Sequence, residues 1–582
     1  MHLKSLEISR FRSCEDLSVV FHPDLTVLVG ENNGGKTNIV EAIRLLTSPL
    51  NGRRDRYPEE DDLRRGATER SFQIKGEFKG LSDPLRGLLI SAMPDPLGDS
   101  AVFGLKHQLR TTGQTRGKSI YWAGRYDTHE PEVGSSDLIR HVYLPALRDA
   151  HQALGTGSGA RVMTLLRHFV GVDDEGAFLE ALRRPTAQPN ALGSINTAIT
   201  EALGELTSGV RLQRSEMNFE DETMFDVARD LRFRLADHGM ELEDIRASGL
   251  GYSNLLYMAT VVVELAKAKE ADLTLFLVEE PEAHLHPQLQ AVVLEFLRDK
   301  AHSSANRQRA AGEPEGRIQV IVTTHSPNLT AWVDPKHLVV LKTKHTLAEG
   351  GQRSESACIP IAELGIPPKI LEKISRYLDV TRSGLLFGNR AVLVEGIAEA
   401  LLLPVIARKI VLAGEHEAWL RFKGTLIIPI EGVDFRPYVE ILTRPYRDAR
   451  IAQKLIVVTD ADPSVRGNRK GNLERLAQRH GANGVVTVLV NTRTLEFDLF
   501  PENEALLKRA FLSLHRNSSR FWADEIEALP EAERPAKFLD LLTQKRTRKG
   551  DLAQQICSLI QDGEPFVVPA YLRDAITAAA AE

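Results

Sequence analysis

The run Gly30-Glu31-Asn32-Asn33-Gly34-Gly35-Lys36-Thr37 has the spacing G-x-x-x-x-G-K-[ST], which suits a loop wrapped around a phosphate chain. Its glycines let backbone N–H groups curl around phosphate oxygens, and a helix beginning at Lys36 adds a positive dipole end. Lys36 is placed to reach the terminal phosphates and the Thr37 hydroxyl to ligate Mg²⁺, so Gly30, Asn33, Gly34, Gly35, Lys36 and Thr37 are candidate nucleotide-binding residues. Such a site also needs a carboxylate at a neighbouring strand end. The apolar run Leu275 to Val278 supplies it in Glu279, for the metal's water shell, and Glu280, as the base that orients an attacking water. His325, at the end of Ile318 to Thr323, is the candidate γ-phosphate sensor. Ser248-Gly249-Leu250-Gly251 precedes a helix, and two readings fit it: a loop that binds a phosphate held by a second copy, or a plain Gly-rich helix cap. His284-x-His286 is a weak zinc candidate, because residues two apart do not share a helix face.

A second set of acids follows. Val392-Leu393-Val394 runs into Glu395-Gly396, Glu399 stands one helical turn later, and Leu455 to Thr459 runs into Asp460-Ala461-Asp462. Carboxylates at the C-terminal ends of adjacent parallel strands converge on one crevice, and all-oxygen ligands suit Mg²⁺ or Mn²⁺. Two such ions serve phosphodiester hydrolysis, one activating water and one stabilising the leaving oxygen. Glu496 is the candidate fifth ligand, and Asp498 a less favoured extra. Taken singly, each acid also fits an ordinary turn or cap. Arg466, Arg469 and Lys470, with a second run at Lys545, Arg546 and Arg548, fit DNA phosphate contacts and solvated faces equally well.

Strands that end in these residues, alternating with helical spacing such as Ile39, Val40, Ile43 and Leu46, describe an α/β chain with two parallel sheets. The 582 residues are too many for one core, and 42% apolar with 26% charged residues excludes wholesale disorder. A net charge of 73 − 79 = −6 excludes a uniformly basic, histone-like binder, so any grip on nucleic acid must be local. Cys14, Cys358 and Cys557 lack C-x-x-C pairing, which argues against a disulfide framework and a cysteine zinc site and fits a reducing compartment. No secretion signal and no spanning apolar stretch is read, so a soluble cytoplasmic protein is expected. Residues from about Arg161 to Asp230 read as mostly helical, and Gly155 to Gly159 as a hinge.

Together these residues carry a resemblance. The run at 248–253 looks like a degenerate signature loop of ABC-type ATPases, and the Glu-Gly and Asp-x-Asp strand ends resemble the Toprim pattern. Arg10-Phe11-Arg12-Ser13, Tyr143-Leu144-Pro145-Ala146-Leu147-Arg148-Asp149, Glu279-Glu280-Pro281-Glu282-Ala283-His284-Leu285-His286-Pro287 and Thr324-His325-Ser326-Pro327 complete a likeness to the OLD (overcoming lysogenization defect) family of ATP-dependent nucleases. The resemblance implies an ABC-type P-loop ATPase domain in two parts (1–160 and 236–375), an inserted helical dimerisation module (161–235), and a Rossmann-like Toprim nuclease domain (376–582). It implies ATP with Mg²⁺ at Gly30 to Thr37, two divalent metals at Glu395, Glu399, Asp460, Asp462 and Glu496, a transition-state lysine at Lys549, DNA as substrate, and a homodimer. Glu279 stands where the broader ABC pattern has Asp. The implied activity is ATP-regulated DNA cleavage, in phage defence or DNA repair and processing. The competing class is an ATP-dependent DNA clamp or repair scaffold that does not cut, and a helper such as a helicase is not legible from one chain.

Overall fold

The computed structural model describes residues 1–50, 54, 56–109, 117–146, 165, 169, 190–207, 213–218, 232–237, 243–244, 249–308, 310, 312–348, 351–461 and 468–581. Ser248, Asp462, Arg466, Leu147 to Asp149, the expected hinge at Gly155 to Gly159 and much of the expected helical insert lie outside the described residues. The chain divides into two compact units, Met1–Ala362 and Glu363–Glu582.

In the first unit the strands are β1 (His2–Phe11), β2 (Cys14–Val20), β3 (Leu25–Gly30), β4 (Ser48–Pro49), β5 (Ser71–Lys79), β6 (Ser100–Gln108), β7 (Lys118–Ala123), β8 (Ile139–Leu144), β9 (Gln213–Asn218), β10 (Arg232–Asp237), β11 (Glu243–Asp244), β12 (Leu273–Glu279), β13 (Arg317–Thr324), β14 (Leu338–Ala348) and β15 (Gly351–Pro360). β1 alternates, with Leu6 and Ile8 buried and Glu7 exposed, and joins the antiparallel sheet β2-β1-β5-β6-β7. β3 and β12 are buried along their whole lengths, as strands covered on both faces must be, and they lie inside the seven-stranded sheet β15-β14-β3-β13-β12-β8-β4. β3, β13 and β12 run parallel and in step: Glu279 pairs with Thr323, and Thr323 with Leu28. That register delivers Gly30, Glu280 and His325 to one sheet edge. The helices α1 (Lys36–Leu46), α2 (Asn190–Thr207), α3 (Leu250–Glu264) and α4 (Pro287–Ala305) complete this account of the first unit.

The stretch expected to be mostly helical is mixed. α2 contains the expected helical run Ile195 to Leu206, but Gln213–Asn218 is a strand that pairs antiparallel with β10 in the small sheet β11-β10-β9. Gln-Arg-Ser-Glu-Met-Asn shows no apolar alternation of its own. Its strand state comes from the partner, whose Phe233 and Leu235 are buried.

The second unit is built on β16 (Arg390–Val394), β17 (Leu426–Pro429), β18 (Lys454–Thr459) and β19 (Val486–Val490), all parallel in the order β17-β16-β18-β19. Helices α5 (Ile397–Ile406), α6 (Arg436–Thr443), α7 (Arg469–Arg479), α8 (Leu495–Leu514), α9 (Lys549–Gln561) and α10 (Ala570–Ala580) surround it. Val392, Leu402, Ile456, Phe511, Trp522, Phe538 and Ile556 share one core, which fixes α5, α8 and α9 around the sheet. No helix among the described residues is long and apolar enough to cross a membrane.

Candidate nucleotide and metal sites

The loop at Gly30 to Thr37 joins β3 to α1, as its spacing requires. Gly35 caps α1 at φ 99°, and a Cβ there would meet Ser356 Oγ at 2.5 Å, so both the left-handed backbone and the close approach require glycine. Asn33 takes φ 62°, a conformation that Asn tolerates. Buried Lys36 folds back on the loop, its Nζ donating to the carbonyls of Gly30 (2.7 Å) and Glu31 (2.8 Å). Burial pulls its pKa down to about 8, against the opposing pull of Glu280, Glu282 and Glu31. These carbonyl contacts hold the ammonium beside the loop, where an anion with more charge would displace them.

Thr37 Oγ1 donates to Glu279 Oε2 at 3.3 Å, while Glu279 Oε1 is buried with no hydrogen-bond partner. Burial, with Glu41 and Glu280 adding repulsion, pushes Glu279 up to about 7. A buried, unpartnered carboxylate oxygen beside a hydroxyl fits a hard divalent cation, which would relieve both costs. Glu280 follows at φ 45°, and its Oε1 lies 3.3 Å from His325 Nε2, whose Nδ1 is 3.2 Å from Lys36 Nζ. Burial and then Lys36 lower the His325 pKa, which keeps the ring neutral at neutral pH. Glu280, His325 and Lys36 therefore form one chain across the ends of β12, β13 and β3.

Two positioning groups were not legible in the sequence. Glu282 Oε1 accepts from Thr324 Oγ1 (2.6 Å) and from the His325 N–H (2.9 Å), tying the β12 and β13 ends together. Glu41 on α1 gathers Arg44 (2.5 Å) and Arg56 (2.7 Å), while Asp62 binds Arg12 at 3.0 Å. The only signal for Glu282 is its place in Glu-Pro-Glu. Gly249 caps α3, and a Cβ on Gly251 would come within 2.7 Å of the His284 carbonyl, so Gly251 has a packing role of its own. His286 Nδ1 caps α4 by accepting from Gln288 N, and His284 sits at φ 61°; neither shares a metal site among the described residues.

In the second unit the parallel register sets the acids. Val394 lies beside Val458 and Thr459 beside Val490, so Glu395, Asp460 and Asn491 emerge together at the C-terminal edge. Glu395 Oε1 accepts from Thr459 Oγ1, from Asp460 N (2.8 Å) and from Arg469 Nη1 (2.5 Å). Asn491 donates to Asp460 Oδ1 and accepts from Ala461 N at 2.9 Å. This asparagine was missed because Asn after a strand is a common turn residue. Buried Glu399 comes from the first turn of α5 and buried Glu496 from the first turn of α8. Lys549 opens α9 and its Nζ is 3.1 Å from Glu496 Oε2. Gly550 permits that approach: a Cβ there would crowd Ile397 Cγ2 at 3.1 Å.

The charges in this crevice are strained. Burial, then Asp460 and Glu496, push Glu399 up to about 7; burial, then Glu395, push Asp460 up to about 6. Burial would lower the Lys549 pKa, but Glu496, Asp460 and Glu399 more than offset it and hold it above the ordinary lysine value. An all-oxygen set that repels itself is chemically matched to divalent cations. Among the described residues no three acids are yet gathered as ligands. Arg469 and Lys549 occupy Glu395 and Glu496, and Asp462 lies outside the described residues. Asp498 instead pins the turn before α8 through the Thr492 N–H (2.9 Å) and hydroxyl. Tyr571 of α10 borders the crevice: its hydroxyl is buried, and burial, with Asp498, Glu399 and Asp460, raises its pKa well above the ordinary tyrosine value against the opposing pull of Asn491.

Of the expected DNA contacts, Arg469 is thus an ion-pair partner of Glu395 at 2.5 Å. Lys470 makes an ordinary i,i+4 pair with Glu474 at 3.9 Å, and Lys545 lies over the Phe521 ring at 4.4 Å. Arg546 and Arg548 are exposed beside Lys549.

A phosphate loop with its carboxylate and histidine at one parallel edge, and an acid crevice at the edge of a second parallel sheet, define a P-loop ATPase joined to a Toprim domain. Comparison with known families agrees: residues 1–132 and 185–330 match the AAA ATPase domain, and residues 386–462 match the "Overcoming lysogenization defect protein-like, TOPRIM domain". The chain is homologous to Old nuclease of Escherichia phage P2, 23% identical over 452 residues that span 70% of each chain. OLD nuclease of Thermus scotoductus is 22% identical over 420 residues, covering 68% of this chain and 72% of the relative. Among solved structures, an Smc head bound to the C-winged helix domain of ScpA is 17% identical with a TM-score of 0.39, covering 61% of this chain and 97% of that one.

Proposed function

We propose that the protein is an ATP-binding and ATP-hydrolysing DNA endonuclease whose Toprim crevice cuts phosphodiester bonds and whose ATPase unit regulates the cut. The observation that carries this reading is the mutual repulsion of Glu399, Asp460 and Glu496 beside the strand end at Glu395, with the Lys549 ammonium among them. Divalent cations, Mg²⁺ or Mn²⁺, would when bound activate a water and stabilise the leaving oxygen. Glu395, Glu399, Asp460 and Glu496 hold them, with Asp462 completing the set. Lys549 sits where its ammonium neutralises charge growing on the scissile phosphate. Asn491 fixes the rotamer of Asp460.

In the ATPase unit Lys36 and the loop N–H groups would bind the phosphates, Thr37 and Glu279 would hold Mg²⁺, Glu280 would take a proton from the attacking water, and His325 would sense the γ-phosphate. Gly249 at the α3 N-terminus supports the reading that a second copy closes this site through the run Ser248 to Gly251. A homodimer follows from it, joined in part through residues 161–235, with 1–160 and 236–375 as the ATPase domain and 376–582 as the nuclease. Cys14, Cys358 and Cys557, buried and not in disulfides, suit the cytoplasm. Phage defence or DNA repair is the setting such an enzyme fits. Supercoiled plasmid with Mg²⁺ or Mn²⁺, with and without ATP, tests the reading: nicking or linearisation by wild type that Asp460→Ala abolishes supports it. An intact plasmid under every metal, with ATP still hydrolysed, favours a non-cutting clamp.

A further inference from the structure

Beside the acid crevice, the second unit has a groove of about 840 Å³ between the start of α6 and one face of α7. Arg436, Arg469, Arg475 and Arg479 line it over an apolar floor that includes Leu473 and Leu476. On α7, Arg475 and Arg479 are one turn apart on the same face, and Arg469 opens the helix nearer the crevice. Among the described residues its only lining acid, Asp434, is already bound by Lys373 Nζ at 2.6 Å. Arg475 donates to Asn472 Oδ1 at 2.6 Å, and neither Arg475 nor Arg479 has an acidic partner among the described residues. Arg469 stands at the groove's inner end with its guanidinium on Glu395 and on the Asp460 carbonyl (3.1 Å), so the basic track runs into the crevice. Arg436 reaches Glu440 at 3.7 Å and Arg469 is held by Glu395, which leaves Arg475 and Arg479 as the groove's cations without an acidic partner among the described residues.

We infer that this groove is the track along which the phosphate backbone of a DNA strand reaches the Toprim acids, a proposal that rests on the nuclease reading above. From Arg469 to Arg479 the helix rises about 15 Å, close to the rise of roughly four base pairs, which matches successive phosphates and overreaches a single small anion. Guanidinium forks suit phosphate oxygens, and the leucine floor accepts sugar faces. The arginines position the strand; the carboxylates and Lys549 act on it.

The test is binding of a fluorescein-labelled DNA duplex, followed by anisotropy in Ca²⁺ at several salt concentrations, for wild type and Arg475→Ala/Arg479→Ala. Removing two phosphate contacts should weaken binding by about tenfold at low salt and make the slope of log K against log salt shallower by about 2. In a plasmid assay the same variant should show a raised KM with kcat nearly kept. Unchanged affinity and slope, with wild type binding and cutting normally, overturns the groove assignment alone. If wild type neither binds nor cuts DNA, the nuclease reading falls and the groove assignment with it. Both side chains are exposed, so thermal unfolding should match wild type; if it does not, Arg436→Ala/Arg479→Ala serves the same comparison.

Discussion

Arg469 donates to Glu395 at 2.5 Å, onto the same carboxylate oxygen that accepts the Asp460 N–H. A cation of the chain itself thus sits on an acid whose strand-end position marks it as a metal ligand. The pair joins the basic groove to the crevice, and divalent binding at Glu395 has to displace the guanidinium. Arg469→Ala should therefore tighten Mn²⁺ binding by several-fold in calorimetry while weakening DNA binding. Unchanged Mn²⁺ affinity would show that Glu395 is not contested.

The crevice should also be pH-gated. Glu399 titrates near 7 and Asp460 near 6, above the ordinary carboxylate range, so both take up protons as pH falls through that window. Cleavage should decline steeply below about pH 6.5, and Mn²⁺ affinity should fall with it. The stability sign is the reverse. Folded protein binds more protons than unfolded chain between about pH 4 and 7, so metal-free stability should decrease as pH rises across that range. Melting temperatures with EDTA and with Mn²⁺ at pH 5.5 and 8 check both: the cation should raise the midpoint far more at pH 8.

Relief of the same repulsion predicts that Asp460→Asn is more stable and inactive. Asn can still accept from Asn491, and roughly 1 kcal/mol is recovered for each pKa unit of strain removed, less a discount for partial exposure. A metal-free melting point raised by about 2–4 °C together with lost cleavage is the expected pair of results. A lower melting point would mean that the charge is compensated in the folded state.

Lys549→Met separates charge neutralisation from metal holding. Cleavage should fall by about 10²–10³-fold, the range for losing one preorganised electrostatic group, while Mn²⁺ still binds. Lost metal binding in this variant would reassign Lys549 to structure.

Much of this was readable in advance for a physical reason. Glu395, Asp460 and Glu279 end apolar strands, and a parallel sheet puts every such end on one edge, so strand boundaries alone located the acids. Glu399 and Glu496 followed from helical turns next to those ends. Asn491 and Glu282 were hidden because their roles are hydrogen bonds across strands far apart in sequence. The Arg469 pairing was hidden because a basic run does not reveal which way each side chain turns. Gln213–Asn218 was misread because its strand state is imposed by β10.

The most direct measurement follows plasmid cleavage and ATP hydrolysis in one tube for Glu399→Ala. Glu399 lies in the crevice of the second unit beside Asp460 and Glu496, so the account predicts cleavage lost and ATP turnover kept. Cleavage that persists in Glu399→Ala at the wild-type rate would contradict it.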